Sequence, residues 1–544
     1  MSNYDFKKLQ NGSDIRGVAL DGIPGEPVNL TPTAVERLAK GFLYWLTQQT
    51  GKAPSQMTVT VGRDSRLSGE ALTTAFCDAL SPFGVRVLNC GLASTPAMFM
   101  STVFDEFRAD GAVMVTASHL PWNRNGLKFF SASGGLNKGD ITDIIVFAES
   151  DQILGMIPAG TGSAQASQTQ VGTDLMAIYS AHLRDLICRG VAKAAGTKDD
   201  PAAASSADAA AETGTAAGSA NLRPLEGLKI CVDAGNGAGG FYAKQVLAPL
   251  GADVSASQFL EPDGTFPNHA PNPENRDAMK SISAAVTDSR CDLGIIFDTD
   301  VDRSSAVDEE GHEISRNGIV AMAAALIADE HPGTTVVTDS VTSDELHTYL
   351  EDSLGLKHLR FRRGYRNVIN KAIELNNEGT DAQLAIETSG HAAYRDNYFL
   401  DDGAFLATRI VIRAAVLKKK GLGISSVIAA LSEPAESEEV RLPISAEDFS
   451  ACADSALEAV RHWASDPASA RDAGLSLEIV QPNYEGIRVA YRGAYSGWFL
   501  LRKSLHDPIM PLNIESAQTG GCSLIRRLLS GCLADIDGLD TSGL

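Results

Sequence analysis

At 544 residues the chain is too long for a single hydrophobic core, and three to four domains is the expectation. Its 44% hydrophobic and 21% charged content is that of an ordinary soluble globular protein. The net charge of −22 excludes a surface built to hold nucleic acid, yet leaves room for a local basic pocket that takes a small phosphorylated ligand.

No apolar stretch approaches the roughly 20 residues of a membrane helix. The opening "MSNYDFKKLQ" has no apolar core, so it does not read as a secretory signal. Eight Cys are scattered without a CxxC spacing, which fits reduced thiols in a cytoplasm and small core residues.

Strand-like runs alternate with helical patterns along the chain. The runs are 57–62, 85–91, 111–116, 228–235, 291–298, 334–339 and 382–388, and helical spacing marks 68–84 and 317–330. Such alternation predicts repeated βαβ units with mostly parallel sheets. The segment 192–221 is Ala, Ser, Thr and Gly with almost nothing large to bury, and reads as a disordered surface insertion. From about residue 435 the pattern changes, and "LSLEIVQPNYEGIRVAYRG" followed by "GWFLLRKS" suggests an antiparallel sheet with a few helices.

Five stretches could carry chemistry. In "VTASHLPWNRNGLKFF" (115–130) a buried strand ends in Ser118, with His119, Asn123, Asn125 and Lys128 close behind. A strand followed by an Asn-Gly turn explains the same residues without chemistry. "DAGNGAGG" (233–240), with Gly235, Gly237, Gly240 and a later Asp253, formally matches a dinucleotide fingerprint, but close packing at a strand-to-helix turn is the preferred reading. In "FDTDVDRSSAVD" (297–308), Asp298, Asp300 and Asp302 alternate after a strand, so extended backbone would project all three carboxylates to one side. Three converging carboxylates need a cation, and hard oxygen ligands suit Mg²⁺. An EF-hand is rejected, because Arg303 stands where that loop requires Gly. "IETSGHAAYRDNYFLDDG" (386–403) clusters Glu387, Ser389 and His391, which suits sugar hydroxyls or a helix cap. "LLRKSLHDP" (500–508) offers Arg502, Ser504 and His506 to a phosphate, or is a polar loop.

Taken in order, these stretches resemble the α-D-phosphohexomutase superfamily, the phosphoglucomutase and phosphomannomutase enzymes. The family's T-A-S-H-N-P with N-G-x-K is similar to Thr116–Pro121 with Asn125-Gly126-Leu127-Lys128. Its D-G-D-x-D-R is similar to Asp298–Arg303, and its G-E-x-S-G-H to Ile386–His391. "SDIRG" (13–17), "VGRDSR" (61–66) and "RGYRNVI" (363–369) resemble three further family segments, with Arg366 where Lys is usual. The phosphate loop departs from R-x-S-x-T-E-P, since His506 replaces Thr and Asp507 replaces Glu. Leu120 and Thr299 are further departures. These changes bear on substrate choice rather than on the chemical core.

The resemblance implies an α/β protein of four domains around a central cleft. The first three are mixed or parallel-sheet sandwiches and the C-terminal one is α+β. Expected divisions are 1–170 with the phosphoserine loop, 171–316 with the metal loop, 317–432 with the sugar loop and 433–544 with the phosphate loop. It implies a mutase interconverting hexose 1-phosphate and hexose 6-phosphate, on glucose or mannose, through a sugar bisphosphate of the glucose 1,6-bisphosphate type. Ser118 would carry the phosphoryl group, with one Mg²⁺ held by Asp298, Asp300, Asp302 and a phosphate oxygen on Ser118. Lys128 would be general acid/base, His119 a phosphate or proton contact, and Arg16 and Arg303 clamps on the reacting phosphate. Arg366, Glu387, Ser389, His391, Arg502, Ser504 and His506 would bind the sugar and its distal phosphate. Expected partners are a small phosphosugar, no nucleic acid and no membrane, in a cytoplasmic monomer or homodimer. Rivals are a phosphoglucosamine mutase, a phosphatase, and a phosphosugar sensor that has lost catalysis.

Overall fold

All seven runs read as strands form strands in the computed structural model, which describes residues 5–158, 174–194, 223–504 and 507–544. Packing divides the chain into two units, Met1–Leu326 with Ser389–Ser426, and Ile327–Thr388 with Val427–Leu544.

In the first unit, β1 (Gln10–Asn11) and β2 (Asp14–Val18) lead into helix α1 (Pro32–Thr50). Thr31 caps that helix by accepting from the Ala34 amide at 3.2 Å, Pro32 supplies a preset φ, and Gly51 ends it at φ +67°. Val35, Leu38, Phe42 and Leu46, three or four residues apart, bury one face. There follow β3 (Thr58–Arg63), α2 (Gly69–Leu80), β4 (Arg86–Leu92), α3 (Thr95–Met100), β5 (Gly111–Val115), β6 (Arg124–Ser131), β7 (Gly134–Gly135) and α4 (Lys138–Glu149). The sheet order is β1-β2-β6-β5-β3-β4, with β7 on β6. β3 runs parallel to β4 and β5, whereas β6 is antiparallel to β2 and β5. This mixed sheet sets the C-terminal end of β5 beside the start of β6.

A second sheet has β8 (Ile230–Asp233), β9 (Leu293–Phe297), β10 (Ser304–Val307) and β11 (Glu313–Ile314) in the order β11-β10-β9-β8. Only β8 and β9 are parallel. The helix Leu175–Ala194 packs on the helix Gly403–Lys418, where the Tyr179 hydroxyl donates to both Asp402 oxygens at 2.7 Å. The insertion read at 192–221 lies outside the described residues except for 192–194, which end the first of these helices.

The second unit holds three parallel strands, Lys357–Arg360, Thr335–Thr338 and Leu384–Ile386. It also holds a C-terminal sheet of five strands, all antiparallel, carrying helices Phe449–Ser465 and Gly521–Leu533. Arg488 ties the two parts together. Its guanidinium lies 3.6 Å from the Trp498 ring centroid and reaches Asp344 at 2.9 Å and the Ser340 and Thr342 carbonyls. The α/β sheets and the α+β C-terminal part agree with the sequence reading. Among the described residues no helix is long and apolar enough to cross a membrane.

One glycine at the strand junction is required by contact. A Cβ on Gly126 would stand 2.2 Å from the Ile15 carbonyl oxygen and 2.7 Å from that of Thr116. Gly126→Ala is expected to cost about 3 kcal/mol of stability by overpacking, read by denaturant unfolding.

Candidate active site

The nucleophile candidate sits where β5 ends. Ser118 is only 2% exposed and holds φ +50°, a conformation that costs a non-glycine residue about 1–2 kcal/mol. The surrounding bonds hold it there. The Ser118 amide donates to the Thr116 hydroxyl at 2.8 Å, and Arg16 donates to the Ala117 carbonyl at 3.1 Å while pairing with Asp14 at 2.9 Å. The turn thereby aims the Ser118 hydroxyl at Asp298, to which it donates at 2.8 Å. His119 Nδ1 lies 3.4 Å from the same hydroxyl, and an Arg303 nitrogen 3.5 Å.

The acidic loop follows β9, but not as extended backbone. Residues 298–302 form a turn in which Val301 takes φ +67°, so the carboxylates of Asp298, Asp300 and Asp302 converge by curvature instead of strand alternation. The expectation of an extended segment is corrected; the expected convergence is present, with one oxygen from each within 4.8 Å of the others. All three are buried. Lys128 on β6 donates to Asp300 at 2.9 Å and also to Asp302. Thr95, at the start of α3, donates its hydroxyl to Asp300 at 2.5 Å and its amide to the Asp300 carbonyl at 2.8 Å. Arg303 reaches Asp298 at 3.2 Å, Asn272 at 3.2 Å and Glu274 at 3.5 Å. His391 pairs with Asp401 at 2.5 Å and joins Asp302 in a second possible ligand group.

The electrostatics follow from burial and charge. Burial, with Asp302 and Asp300 alongside, pushes the Asp298 carboxyl well above the usual range. Burial also opposes ionisation of Asp302, but Lys128, His391 and Arg303 outweigh it and hold that carboxyl low. His391 is held up to about 9, because Asp401 and Asp302 overcome the effect of burial.

These residues fit a hard divalent cation. Asp300 Oδ1, Asp302 Oδ1 and Thr299 Oγ1 are buried with no hydrogen-bond partner, an arrangement that normally costs free energy. Oxygen-only donors of this kind match Mg²⁺ chemistry.

Ser118, His119, Lys128, Asp298, Asp300, Asp302, Arg303 and His391 are therefore gathered in the first unit, with Arg16 one peptide away. Ser389 is there too, its hydroxyl buried without a partner. Glu387, Arg366, Arg502 and Ser504 belong to the second unit. Glu387 accepts from the Gly364 amide at 2.6 Å, beside the helix Tyr365–Asn377 that bears Arg366. Arg502 lies 4.0 Å from Glu485, which also accepts from the Ser340 hydroxyl at 2.5 Å and the Arg363 amide at 3.1 Å. Ser504 accepts from the Asp507 amide at 3.1 Å. His506 lies outside the described residues. Thr95, Asp401, Asn272 and Glu485 escaped the sequence reading. Thr95 alone left a usable trace, since Ser94-Thr95-Pro96 is a helix-start signature.

The Gly-rich turn at 235–240 is a packing device. A Cβ on Gly237 would stand 2.6 Å from the Thr299 carbonyl oxygen and one on Gly240 2.1 Å from that of Leu260, so protein backbone fills the space a pyrophosphate would need. Asp233 fixes the turn by accepting from the Gly235 amide at 2.8 Å and pairing with His269 at 3.0 Å. Burial opposes protonation of His269, but Asp233 outweighs it and raises the imidazole pKa. A raised folded value means this pair stabilises fully below the unfolded pKa of about 6.5, and the contribution is lost as pH rises through the folded value. The stability advantage of the native chain over His269→Gln should therefore narrow as pH rises above about 6.5 in thermal melts.

Comparison with known proteins supplies the family. Profiles described as phosphoglucomutase/phosphomannomutase α/β/α domains I, II and III match residues 7–150, 211–311 and 315–434 in that order. A phosphomannomutase/phosphoglucomutase of Pseudomonas syringae pv. tomato is 27% identical over 508 residues, covering 92% of this chain and 90% of its own. A phosphoglucosamine mutase of Corynebacterium jeikeium is 28% identical over 421 residues, covering 76% of this chain and 82% of its own. A crystal structure of a phosphoglucomutase/phosphomannomutase family protein from Burkholderia thailandensis shares the fold, with a TM-score of 0.71 at 23% identity over 97% of this chain and 98% of that one. With three domain profiles matched in sequence order over most of its length, the chain belongs to the phosphoglucomutase/phosphomannomutase family.

Proposed function

We propose that this chain interconverts hexose 1-phosphate and hexose 6-phosphate, on glucose or mannose, through a phosphoserine at Ser118 and a bisphosphorylated sugar. The observation that carries this reading is the Ser118 hydroxyl, buried on a strained turn and donating at 2.8 Å to one of three convergent carboxylates. A serine so held has its attack direction fixed before substrate arrives.

Asp298, Asp300 and Asp302 would hold one Mg²⁺. When bound, that ion would neutralise charge developing on the transferred phosphoryl group. In the first half-reaction a sugar hydroxyl attacks phosphorus and loses its proton, while the phosphorus–Ser118 oxygen bond breaks and the Ser118 oxygen takes up a proton to become a hydroxyl again. Lys128 is the group proposed to move the sugar's proton. Its nitrogen now bonds to Asp300 and Asp302 as an ammonium, so it must be freed from them and give up a proton before it can accept one. Arg303 and Arg16 would steady the phosphate oxygens, and His119 would contact them. In the second half-reaction the bisphosphate returns its other phosphoryl group to Ser118. Glu387, Ser389 and His391 would hold the sugar, and Arg366, Arg502, Ser504 and His506 the phosphate not reacting. The four domains, with boundaries at about residues 170, 316 and 432, belong to the same proposal.

A phosphoglucosamine mutase is the second reading, favoured by the Corynebacterium jeikeium relative. Turnover of glucose 1-phosphate, mannose 1-phosphate and glucosamine 1-phosphate, with Mg²⁺ and a trace of glucose 1,6-bisphosphate, separates the two. The proposal expects conversion of glucose or mannose 1-phosphate. Conversion of glucosamine 1-phosphate alone would replace it with the second reading, and no conversion of any would favour a sensor.

A further inference from the structure

Both backbone handles of Ser118 lead to one buried ion pair. The Ser118 amide donates to Thr116 Oγ1 at 2.8 Å, and that hydroxyl donates to Asp64 at 2.7 Å. The Ser118 carbonyl accepts from Arg66, whose Nε lies 3.4 Å from the same Asp64 carboxylate. Arg66 goes on to gather the rest of the turn. It donates to the carbonyls of Leu120 at 2.6 Å, Pro121 at 2.8 Å and Arg124 at 2.9 Å. Four carbonyls from residues 118–124 thus meet one guanidinium, and its side chain is fully buried. The pair is sealed from the other side. Phe266 lies 5.3 Å from the Arg66 guanidinium, and Gly264 packs so closely that a Cβ there would stand 2.5 Å from the Leu67 amide nitrogen.

Such a charge cannot serve the surface, and although its field reaches Asp298 and Asp300 of the acidic loop, its hydrogen bonds go to backbone carbonyls. What it grips is the peptide backbone that sets φ +50° at Ser118 and hence the direction of the hydroxyl. Only a planar fork with several donors can span carbonyls so spread; a lysine ammonium offers its donors from a single atom.

We propose that Arg66, clamped by Asp64, is the positioning residue of the phosphoryl carrier, holding the 118–124 turn so that the Ser118 oxygen lies in line with the transferred group. The inference rests on the phosphoserine reading above. It acts through Ser118 and touches no reacting atom.

The test compares the full-length native chain with Arg66→Lys and with Thr116→Val, which removes the hydroxyl link to the Ser118 amide. In Arg66→Lys, phosphoryl uptake at Ser118 from glucose 1,6-bisphosphate and kcat should both fall about 100-fold, with KM changed by less than about 3-fold. Amide hydrogen exchange across 117–125 should accelerate at least about 10-fold while exchange in α1 stays native. Thr116→Val should show the same pattern, weaker by about 10-fold in kcat. A folded Arg66→Lys chain with native kcat, uptake and exchange overturns the proposal. So does a loss confined to KM. If Arg66→Lys does not fold, Thr116→Val decides, and native exchange and kcat in it overturn the proposal. A native chain that takes up no phosphoryl group defeats the phosphoserine reading instead. Exchange across 117–125 then judges the clamp alone, and unaltered protection in Arg66→Lys counts against it.

Discussion

Ser118→Ala is expected to lower hexose-phosphate turnover by about 10⁴-fold or more while leaving the fold intact. The size follows from the absence of a substitute. Among the described residues no other hydroxyl donates to Asp298, and the oxygen lost is the one the proposed phosphoryl group rides on. Stability should change little, because the Cβ is retained and the backbone is held by Thr116, Arg16 and Arg66 rather than by the hydroxyl. Asp298 loses a donor, but its burial already favours the neutral carboxyl, which needs that donor less. Steady-state turnover beside far-UV circular dichroism checks both halves. Retained turnover in a folded Ser118→Ala chain would remove Ser118 from the mechanism.

Lys128→Met should show the second largest effect, and it has two readouts. Activity should fall about 10²- to 10⁴-fold, the range for loss of a positioned acid/base. Stability without metal should fall by about 3–5 kcal/mol, because Asp300 and Asp302 are buried and would lose the cation they share. Added Mg²⁺ should return part of that stability, since a cation bound only by the folded chain stabilises by mass action. Denaturant midpoints in chelator and in Mg²⁺ read this directly. If Mg²⁺ leaves the Lys128→Met midpoint where chelator puts it, the acidic loop is not a metal site.

Much of this site was legible because its residues lie close together in sequence at the ends of strands. Seven apolar runs gave seven strands, and the seam between strand and loop is where Ser118 and Asp298 sit. Sequence reading erred on how the acidic residues converge. Period-two alternation suggested extended backbone, whereas Val301 at φ +67° makes a turn, and nothing in a valine announces a positive φ. It also missed contacts that depend on tertiary packing. Thr95 lies 205 positions from Asp300 and Asp401 lies 99 from Asp302, so local pattern carries no trace of either meeting. Arg66 was visible in a motif but not in role, because its partners are backbone carbonyls, which every sequence possesses. The Gly235 fingerprint illustrates the converse. Spacing alone matched a nucleotide loop, while contact with Thr299 and Leu260 shows why those glycines are small.

The most direct measurement of the central claim is intact and peptide mass spectrometry of the native chain after incubation with Mg²⁺ and glucose 1,6-bisphosphate, then after a chase with excess glucose 1-phosphate. The expected result is one phosphoryl group on the peptide containing Ser118, lost to the sugar during the chase and absent throughout in Ser118→Ala. Turnover with no phosphoryl group ever found on that peptide, or a group found there that no sugar phosphate removes, would contradict the account.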